Sequence, residues 1–511
     1  MQPVERRILL DTKRRHTLYD IWDEVVTFLW RTYSGGREYR TGEPYMLDKY
    51  PRETDAVYSA RRDRSYYLNF YGAVIDAYIS SVYKRDPVRE PAELEEQDTR
   101  EVPASPQTGI QTPLVATQVE EPELTPAMQE FMEDATGAGH SLTRFIREQV
   151  TFSLAAERAF VVVDVAASGF PYCHSLHPAN LLDFALDEDG LFLWALVAEK
   201  RVYESDPFES RVEEDQFRLW LPDEWFLFDS DAHQIEHGPN RAGRVPIVEI
   251  DGSEVNLPAY DIGQVNRRIY NLCSQLDEIL INVTFPQMYA PGDGIANAEG
   301  TSISSDTTPI EVGTARMLLI PDEAKMAPGF LAPPDGPAKL HIEERERLIG
   351  AIYSLAGLER KDPDAQNPQS GVAKAYDFRE TNARLVSLAQ TAERAELEIF
   401  ELVNAYGLPG EVNVSYSKDF NVRDFAAMLE AYLEIETAKL PAVVKKRAAL
   451  DLSMAIAEEA TEDEKKEIRE AVEAMGDEDF SDTTPDLLSV IRPRTNRAVG
   501  QPVETPAGEE A

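Results

Sequence analysis

Apolar residues recur at helical spacing in two long stretches of the second half of the chain. Between Tyr260 and Val283 they step by four and three residues in turn, so they form one stripe on a helix. The same spacing runs through Gly371–Tyr406, a predicted helix that would span about 50 Å and is long for a globular domain. A further helix is predicted over His341–Leu358, and it stops before the polar loop Arg360–Ser370.

Shorter helices are predicted towards both ends of the chain. They cover residues 15–35, Ala56–Tyr83, residues 140–157, Arg423–Ala438, Pro441–Ala457 and Thr461–Met475. Residues 86–126 contain seven prolines, many acidic residues and few aromatic ones. Such a composition buries too little apolar surface to order the chain, so we expect a long mobile insertion there. For the same reason the acidic, Pro- and Thr-rich residues 476–511 are expected to form a disordered tail.

Runs of β-branched and aromatic residues between turn signals predict strands. They are Phe160–Val165, Leu181–Ala185, Leu191–Glu199, Gln216–Leu221, Glu224–Asp229, Val245–Ile250 and Glu411–Tyr416. Turn sequences at Asp187–Gly190 and Asn240–Gly243 predict hairpins, and therefore an antiparallel sheet beside helices. The Gly- and Pro-rich stretch Pro286–Pro337 has short strand signals at Ile310–Val312 and Arg316–Ile320. The predicted fold class is α+β.

Charge is the unusual feature of the composition. The chain has 51 Lys and Arg against 92 Asp and Glu, a formal net charge of −41. This argues against a surface that grips nucleic-acid phosphates or anionic lipid throughout, although a polyanion could still slide past it. The longest apolar run, Leu191–Ala198, is far shorter than the roughly 20 residues of a membrane span, and we find no signal peptide. We therefore expect a soluble intracellular protein, with Cys173 and Cys273 reduced.

Two local patterns resemble reactive sites, and each has a simpler structural interpretation. Gly238–Val245 has the glycine spacing of a phosphate-binding loop but lacks its Lys and Ser/Thr, which favours a hairpin loop. Cys173, His174 and His177 suggest zinc, but neighbouring side chains of a strand point to opposite faces and there is no second ligand cluster. No catalytic motif is present, so we expect no enzymatic activity, cofactor or metal.

The order of the predicted elements carries more information than any single motif. A striped helix, a β-rich excursion, a second helix, a short loop and a very long helix follow one another from Tyr260 to Tyr406. This order resembles that of tailed-bacteriophage portal proteins, the rings through which these phages package and eject DNA. Local stretches are similar to portal sequences at Tyr66–Tyr78, Val82–Pro87, His177–Asp183, Arg244–Glu249, Asn266–Pro286 and Ser370–Lys374. The resemblance covers roughly residues 15–475.

The resemblance implies an α+β fold with portal-type architecture: an antiparallel-sheet wing, two stem helices, a β-rich clip, a long wing helix and a helical crown. The wing would be residues 1–258, including the insertion 86–126. The other parts would be stem helix 1 (259–285), the clip (286–338), stem helix 2 (339–359), the tunnel loop (360–370), the long helix and wing strand (371–422), the crown (423–475) and the acidic tail (476–511).

The same resemblance implies a function. About twelve copies would form a ring at the unique capsid vertex, through a head-to-tail contact that closes. Double-stranded DNA would pass through the channel without sequence specificity, and an acidic lining would keep the contact weak. Expected partners are other copies of the chain, the terminase large subunit, the head–tail adaptor, and the major capsid and scaffold proteins; no membrane is involved. The ring would assemble in the host cytoplasm and reside in the virion, without catalytic residues of its own.

The resemblance also points to candidate site residues. The tunnel-loop candidates for DNA contact are Arg360, Lys361, Asn367 and Gln369. Arg360 and Lys361 could instead cap the preceding helix, because cations offset the dipole at a helix C-terminus. Arg345 and Arg347 on the second stem helix could face the bore or bridge to a neighbour's acidic residues.

Two other classes of protein remain as alternatives. Long helices with apolar stripes are also typical of a self-associating coiled-coil scaffold or adaptor protein without a DNA channel. A hydrolase site within the sheet region is a weaker third interpretation. Rings with a central hole would separate the first interpretation from rods or dimers.

Overall fold

The computed structural model describes residues 14–92, 124–203, 212–284, 287–291, 295–297, 302–303, 316–320, 327–331, 336–358, 371–418, 420, 432–435, 441–457 and 462–475. The fold mixes helices and sheets, which agrees with the predicted α+β class. The chain divides into two compact units, Met1–Phe420 and Asn421–Ala511.

The first unit contains nine helices in its described part. They are α1 (Tyr19–Ser34), α2 (Gly36–Thr41), α3 (Asp55–Arg64), α4 (Phe70–Val82), α5 (Pro126–Glu133), α6 (Leu142–Ala156), α7 (Ala259–Thr284), α8 (Gly336–Leu355) and α9 (Gly371–Ala405). The single helix predicted over Ala56–Tyr83 is therefore two helices. Ser65 is extended with a ψ of 147°, and the Asn69 side chain accepts a 2.7 Å hydrogen bond from the amide of Gly72, which starts a new helix.

A three-stranded antiparallel sheet lies at the centre of this unit. Its order is β3 (Pro171–Leu176), β2 (Arg158–Val165), β9 (Ile247–Asp251). Alternate residues of β2 enter two different cores: Val161 and Val163 belong to the main core with the helices, whereas Phe160 and Val162 belong to a smaller core. Both faces of the sheet are thus covered, as the period of two in a strand requires.

A five-stranded antiparallel meander covers the smaller core. It consists of β4 (Leu181–Leu186), β5 (Phe192–Tyr203), β6 (Val212–Trp220), β7 (Glu224–Phe228) and β8 (Gln234–Pro239), paired in that order. Strand β8 was not predicted. The turn Asn240–Gly243, predicted as a hairpin, instead leads from β8 to β9 in the other sheet. The side chain of Asn240 stabilises this turn. Its Nδ2 donates hydrogen bonds to the carbonyls of Leu221 (2.9 Å) and Arg244 (2.7 Å).

The expected mobile insertion 86–126 begins with an ordered strand. Strand β1 (Val88–Pro91) pairs antiparallel with β15 (Val412–Ser415). The Arg89 guanidinium makes two 2.9 Å hydrogen bonds to the nearly inaccessible carboxylate of Glu396 and one of 2.8 Å to Thr143. The expectation of a mobile segment is wrong at 88–91, because composition does not reveal these distant partners. Residues 93–123 lie outside the described part.

The part of the chain that connects α7 to α8 forms a second five-stranded sheet. Its strands are β10 (Gln287–Pro291), β11 (Ile295–Asn297), β12 (Ser302–Ile303), β13 (Arg316–Ile320) and β14 (Gly329–Leu331), in the order β12-β11-β13-β10-β14. Strands β10 and β13 are parallel, and the other pairs are antiparallel. The predicted strand Arg316–Ile320 is confirmed, whereas Ile310–Val312 lies outside the described residues.

The second unit has a small core of its own. Helices α10 (Ala442–Ile456) and α11 (Glu462–Glu473) were both predicted, and Ala449, Leu452 and Val472 are buried between them. Most of the predicted helix Arg423–Ala438 and all of the tail 476–511 lie outside the described residues.

Candidate functional site

Helices α7 and α8 pack against each other as an antiparallel pair. Gln287, just after α7, is opposite Leu331, just before α8, in the β10–β14 pairing, so the end of α7 and the start of α8 lie together. The predicted apolar stripe is buried on α7, where Ile269, Leu272 and Leu276 are at most 5% exposed. The pair therefore carries the β-rich sheet at one end.

The other buried side of α7 is polar. The Asn266 side chain accepts from the amide of Tyr71 and donates to the carbonyl of Leu68, both at 2.8 Å. Asn271 accepts from the amide of Asp48 at 2.8 Å and donates to the carbonyl of Met46 at 3.2 Å. These asparagines bond to the backbone of the preceding region, so they fix α7 against residues 46–71.

A buried ion pair lies at the same contact. Arg61 and Glu53 have side chains that are 2% and 4% exposed and share two 2.8 Å hydrogen bonds. Arg61 also donates to the hydroxyl of Ser274 on α7 (3.2 Å) and to the carbonyl of Asp48 (2.7 Å). Hydrogen bonds from Arg61 hold the pKa of Glu53 below its ordinary value. Every polar group of the pair therefore has a partner, which a buried charge requires.

The ends of α7 and α8 nearest the sheet carry exposed apolar side chains. Leu280 and Ile281 near the end of α7 are 43% and 40% exposed, and Leu340 near the start of α8 is 66% exposed. Further along α8, Ile349 and Ile352 are buried again. These ends therefore present apolar side chains to their surroundings.

The charges on the helix pair are almost balanced. Helix α7 carries Asp261, Asp277 and Glu278 against Arg267 and Arg268. Helix α8 carries Glu343, Glu344 and Glu346 against Lys339, Arg345 and Arg347. The acidic excess of the chain therefore lies outside these two helices.

Arg345 and Arg347 both have partners within the chain. Arg347 makes two hydrogen bonds, of 2.7 and 2.6 Å, to Glu344 on the same helix, and its side chain is 65% exposed. Arg345 lies 3.5 Å from the carboxylate of Glu346 and also interacts with Cys273 on α7. Burial raises the pKa of Cys273, and the charge of Arg345 opposes that shift. Arg345 thus faces α7, whereas Arg347 lies on the exposed side of α8.

At its far end α8 is capped by side chains from two other helices. Arg384 of α9 donates to the carbonyl of Leu355 at 3.0 Å, and the Tyr78 hydroxyl of α4 donates to the carbonyl of Ala356 at 2.6 Å. The hydroxyl of Thr381 donates to the carbonyl of Gly357. Helix termini normally leave such carbonyls without an intrahelical partner. We call Tyr78, Thr381 and Arg384 the α8 clamp.

The predicted DNA-contact residues Arg360, Lys361, Asn367 and Gln369 lie outside the described residues, directly after this capped end. The suggested capping role of Arg360 and Lys361 concerns carbonyls that already have the donors of the α8 clamp. Sequence analysis missed the clamp because Tyr78 is 278 positions from Ala356. No local signal links the two residues.

The possible zinc ligands do not converge. Cys173 is buried in the main core, which raises the pKa of its thiol, and it pairs in register with Val163. His177 is four residues further on, just after β3, where its Nδ1 accepts a hydrogen bond from the amide of Ala179 at 3.2 Å. Within the described ranges, no three His, Cys, Asp or Glu side chains form a group that could hold a metal.

A groove of about 580 Å³ lies between α1, α6 and β3. Aromatic side chains such as Trp30 and Phe152 line it, together with Arg144 and Arg147. Arg144 is held by Glu148 at 3.0 Å, and Arg147 lies over the ring of Tyr83. The arginines on its rim thus already have partners.

Neither protein-family models nor curated proteins give a match to this chain. None of the helices in the described part combines the length and the apolar composition that crossing a membrane requires. The class that the fold defines is a mixed α+β protein with an antiparallel helix pair that carries a separate β-sheet.

Proposed function

We propose that the protein is a portal-type protein of tailed bacteriophages. It assembles into a closed ring at the unique capsid vertex, and the channel of the ring conducts double-stranded DNA during packaging, retention and ejection. The observation that carries the proposal is the succession of α7, a β-rich sheet, α8, the short segment 359–370 and the long helix α9. In this assignment α7 and α8 are the stem helices, and β10–β14 form the clip.

Exposed apolar residues support self-association at the clip end of the stem. They are Leu280, Ile281, Phe330, Leu340 and Ile342, each at least 40% exposed. All lie within a few residues of the junctions between the helix pair and the sheet. Large apolar side chains exposed in one region of a protein mark interaction sites. In a ring of copies joined head to tail, these side chains would be buried at the contact between neighbouring copies.

The charge balance of α7 and α8 suits a conduit. Each phosphate that a channel pairs firmly adds salt-dependent affinity, which must be broken at every step of translocation. A nearly neutral stem avoids both tight binding and strong repulsion. Sequence-independent, transient contact to phosphates is assigned to Arg360 and Lys361, with Asn367 and Gln369 as neutral donors. The ring has no catalytic role, so the terminase large subunit supplies the work.

The remaining parts follow from the same assignment. The clip is the docking site for the terminase large subunit and later for the head–tail adaptor. Residues 423–475 form the crown towards the capsid interior, where the major capsid and scaffold proteins are the partners. The protein is located in the virion after assembly in the host cytoplasm.

The coiled-coil alternative receives less support from helix α9. Its apolar stripe is already buried in the main core of its own chain, at Leu385, Leu388, Ala392, Ala395, Ile399 and Leu402. A helix that forms a coiled coil with another chain needs that stripe to be free. Self-association through α9 would therefore require the first unit to open.

Electron microscopy of the purified full chain tests the proposal. We expect closed rings of about twelve copies with a central hole. Light scattering coupled to gel filtration gives the mass of the assembly independently. Rods or dimers at all protein concentrations would favour the scaffold alternative and would contradict the portal assignment.

A further inference from the structure

The outer edge of strand β3 carries main-chain groups that have no hydrogen-bond partner in the described part of the chain. The Cys173 amide donates to the carbonyl of Ala135 at 2.7 Å, so the main chain of Cys173 points away from β2. The amide of its register partner Val163 donates to Pro246 on the other side of β2, so these two residues form a non-hydrogen-bonded pair. Because such pairs alternate along an antiparallel ladder, the amide and carbonyl of Ser175 also point to the open edge.

The open edge faces the groove between α1, α6 and β3. Ser175 is one of the residues that line this space of about 580 Å³. Trp30 and Phe152 form its apolar wall, with ring centroids 4.5 Å apart. In β-addition, an extended segment bonds to an open strand edge through its main chain, while pockets beside the edge receive its side chains. The groove therefore has the two features that bind a strand.

The rim of the groove is positively charged, although the whole chain has a net charge of −41. Arg144 and Arg147 line it together with one acidic residue, Glu148. Burial lowers the pKa of His177, so this lining residue adds no charge at neutral pH. The Arg144–Glu148 pair is 60% and 51% exposed, so water screens it and the pair is weak. The rim thus favours a segment that carries carboxylates.

Strands β5 and β6 extend beyond the rest of their sheet as a two-stranded arm. Strand β4 pairs with β5 only as far as Val197, and β7 pairs with β6 only from Phe217. Residues 198–203 and 212–216, which we call the β5–β6 arm, pair with each other and with no further strand of the described ranges. A ribbon of two strands is marginally stable in water by itself. Packing against a partner would therefore stabilise the arm.

One face of the β5–β6 arm complements the groove. Val202 pairs with Glu213 and Lys200 pairs with Asp215, so these four side chains share a face. Val202 is 46% exposed, and the three charged residues are exposed as well. The valine suits the aromatic wall, the two carboxylates suit the rim arginines, and the lysine suits the acidic residue of the rim. This complementarity of charge identifies the arm as the occupant.

We propose that the β5–β6 arm of one copy adds to the open edge of β3 in a neighbouring copy. The free edge of β6 bonds to the main chain of Ser175, and the charged face of the arm meets the rim of the groove. No described residue of the arm lines the groove within its own copy. Because arm and groove are different surfaces of one chain, the contact is head to tail and repeats from copy to copy. Closure of this series into a ring rests on the proposed function.

Chemical cross-linking of the full chain tests the contact directly. A chain with both Arg144→Cys and Glu213→Cys is treated with a short bismaleimide reagent; the native cysteines are buried. We expect a ladder of linked copies on a denaturing gel. Each single variant should stay unlinked, because a head-to-tail contact never joins identical positions. Arg241→Cys with Glu213→Cys is the matched control, since Arg241 is exposed outside the groove, and it should form no ladder.

A charge exchange tests the same contact without a reagent. Arg144→Glu alone and Glu213→Arg alone place like charges together, and each should raise the concentration needed for assembly about tenfold. The two changes combined should restore assembly. Arg144 is the third residue of α6 after the Ser141 cap, where glutamate is favoured, so the fold is kept. Sedimentation velocity measures assembly, thermal unfolding checks folding, and Arg241→Glu should assemble like the wild type.

The outcomes separate this contact from the portal assignment. Rings that form normally without a ladder would leave the groove to another partner and overturn the proposed contact, while the portal assignment would stand. A ladder in open filaments without rings would support the contact and contradict the portal assignment. Linked species that stop at dimers would indicate a reciprocal contact and overturn the head-to-tail arrangement. Folded single charge variants that assemble like the wild type would also overturn the contact.

Discussion

At the scale of single residues, buried polar side chains determine how α7 is attached. A helical pattern predicts that polar residues such as Asn266 and Asn271 face the solvent, yet both are at most 2% exposed. Their side-chain amides form hydrogen bonds with backbone groups of residues 46–71. A periodicity analysis assigns polar positions to the surface, so this contact could not be predicted from the sequence.

The buried Arg61–Glu53 pair makes a quantitative prediction. Glu53→Gln keeps the shape of the side chain but leaves the Arg61 charge buried without a counter-ion. We expect the free energy of unfolding to fall by about 3 kcal/mol, because broken buried pairs cost about this much. Denaturant unfolding measures the change. Glu148→Gln breaks the exposed pair with Arg144 and should cost at most about 0.5 kcal/mol; equal losses would contradict the role of burial.

A second residue-scale prediction concerns pH. Burial raises the pKa of Glu398, an effect that the charges of Arg244 and Arg394 reduce but do not cancel. The folded state thus binds the proton more tightly than the unfolded chain, and the stabilising effect is lost as pH rises through the folded pKa. Glu398→Gln should therefore unfold at a higher temperature than the wild type at pH 7.5.

The same comparison has an internal control. The advantage of Glu398→Gln should shrink as the pH falls and vanish below about pH 4, where an unfolded glutamate is also protonated. Glu401→Gln changes a neighbouring carboxylate that is 68% exposed and pairs with Arg244 at 3.3 Å. The thermal unfolding temperatures of the wild type and both variants, measured at pH 7.5 and below about pH 4, test this prediction. A stabilisation that does not depend on pH would rule out the electrostatic explanation.

At the scale of elements, α8 was predicted five residues short at its start, whereas helical periodicity predicted α7 and α9 to within about one residue at each end. These helices have long apolar stripes, and a stripe is a local property of the sequence. Strand β8 was missed because all its side chains are exposed or nearly so, which leaves no alternation to detect. Strand β1 was missed because its pairing partner is more than 300 residues away. The α8 clamp is likewise made by contacts that no window of sequence contains.

The segment between α8 and α9 gives the prediction at this scale. Deletion of Arg360–Ser370 with a short Gly–Ser replacement should leave rings intact, because the described contacts of α8 and α9 involve residues on either side. We expect DNA packaging or retention to be impaired, as the proposed phosphate contacts are lost. Counting filled and empty heads by electron microscopy measures the effect. If heads of the deletion variant fill normally, the tunnel-loop assignment is wrong. That outcome would not contradict the proposal that the chain forms rings.

At the scale of the whole molecule, the negative charge is unevenly distributed. Residues 93–123 contain eight acidic residues and one basic residue, and the tail 476–511 contains eight acidic and three basic residues. The helix pair α7–α8 contributes almost nothing to the net charge of −41. The overall net charge averages over these regions of different composition. In the proposed conduit, the nearly neutral helices α7 and α8 would keep both attraction and repulsion of DNA weak.

The way in which α7 is anchored also has an evolutionary consequence. Asn266 and Asn271 recognise main-chain atoms of residues 46–71, and main-chain atoms are the same whatever the side chains are. Substitutions can therefore accumulate at the outward positions of that region while the helix keeps its place. Among distant relatives we expect the two asparagines to persist where the residues opposite them have diverged.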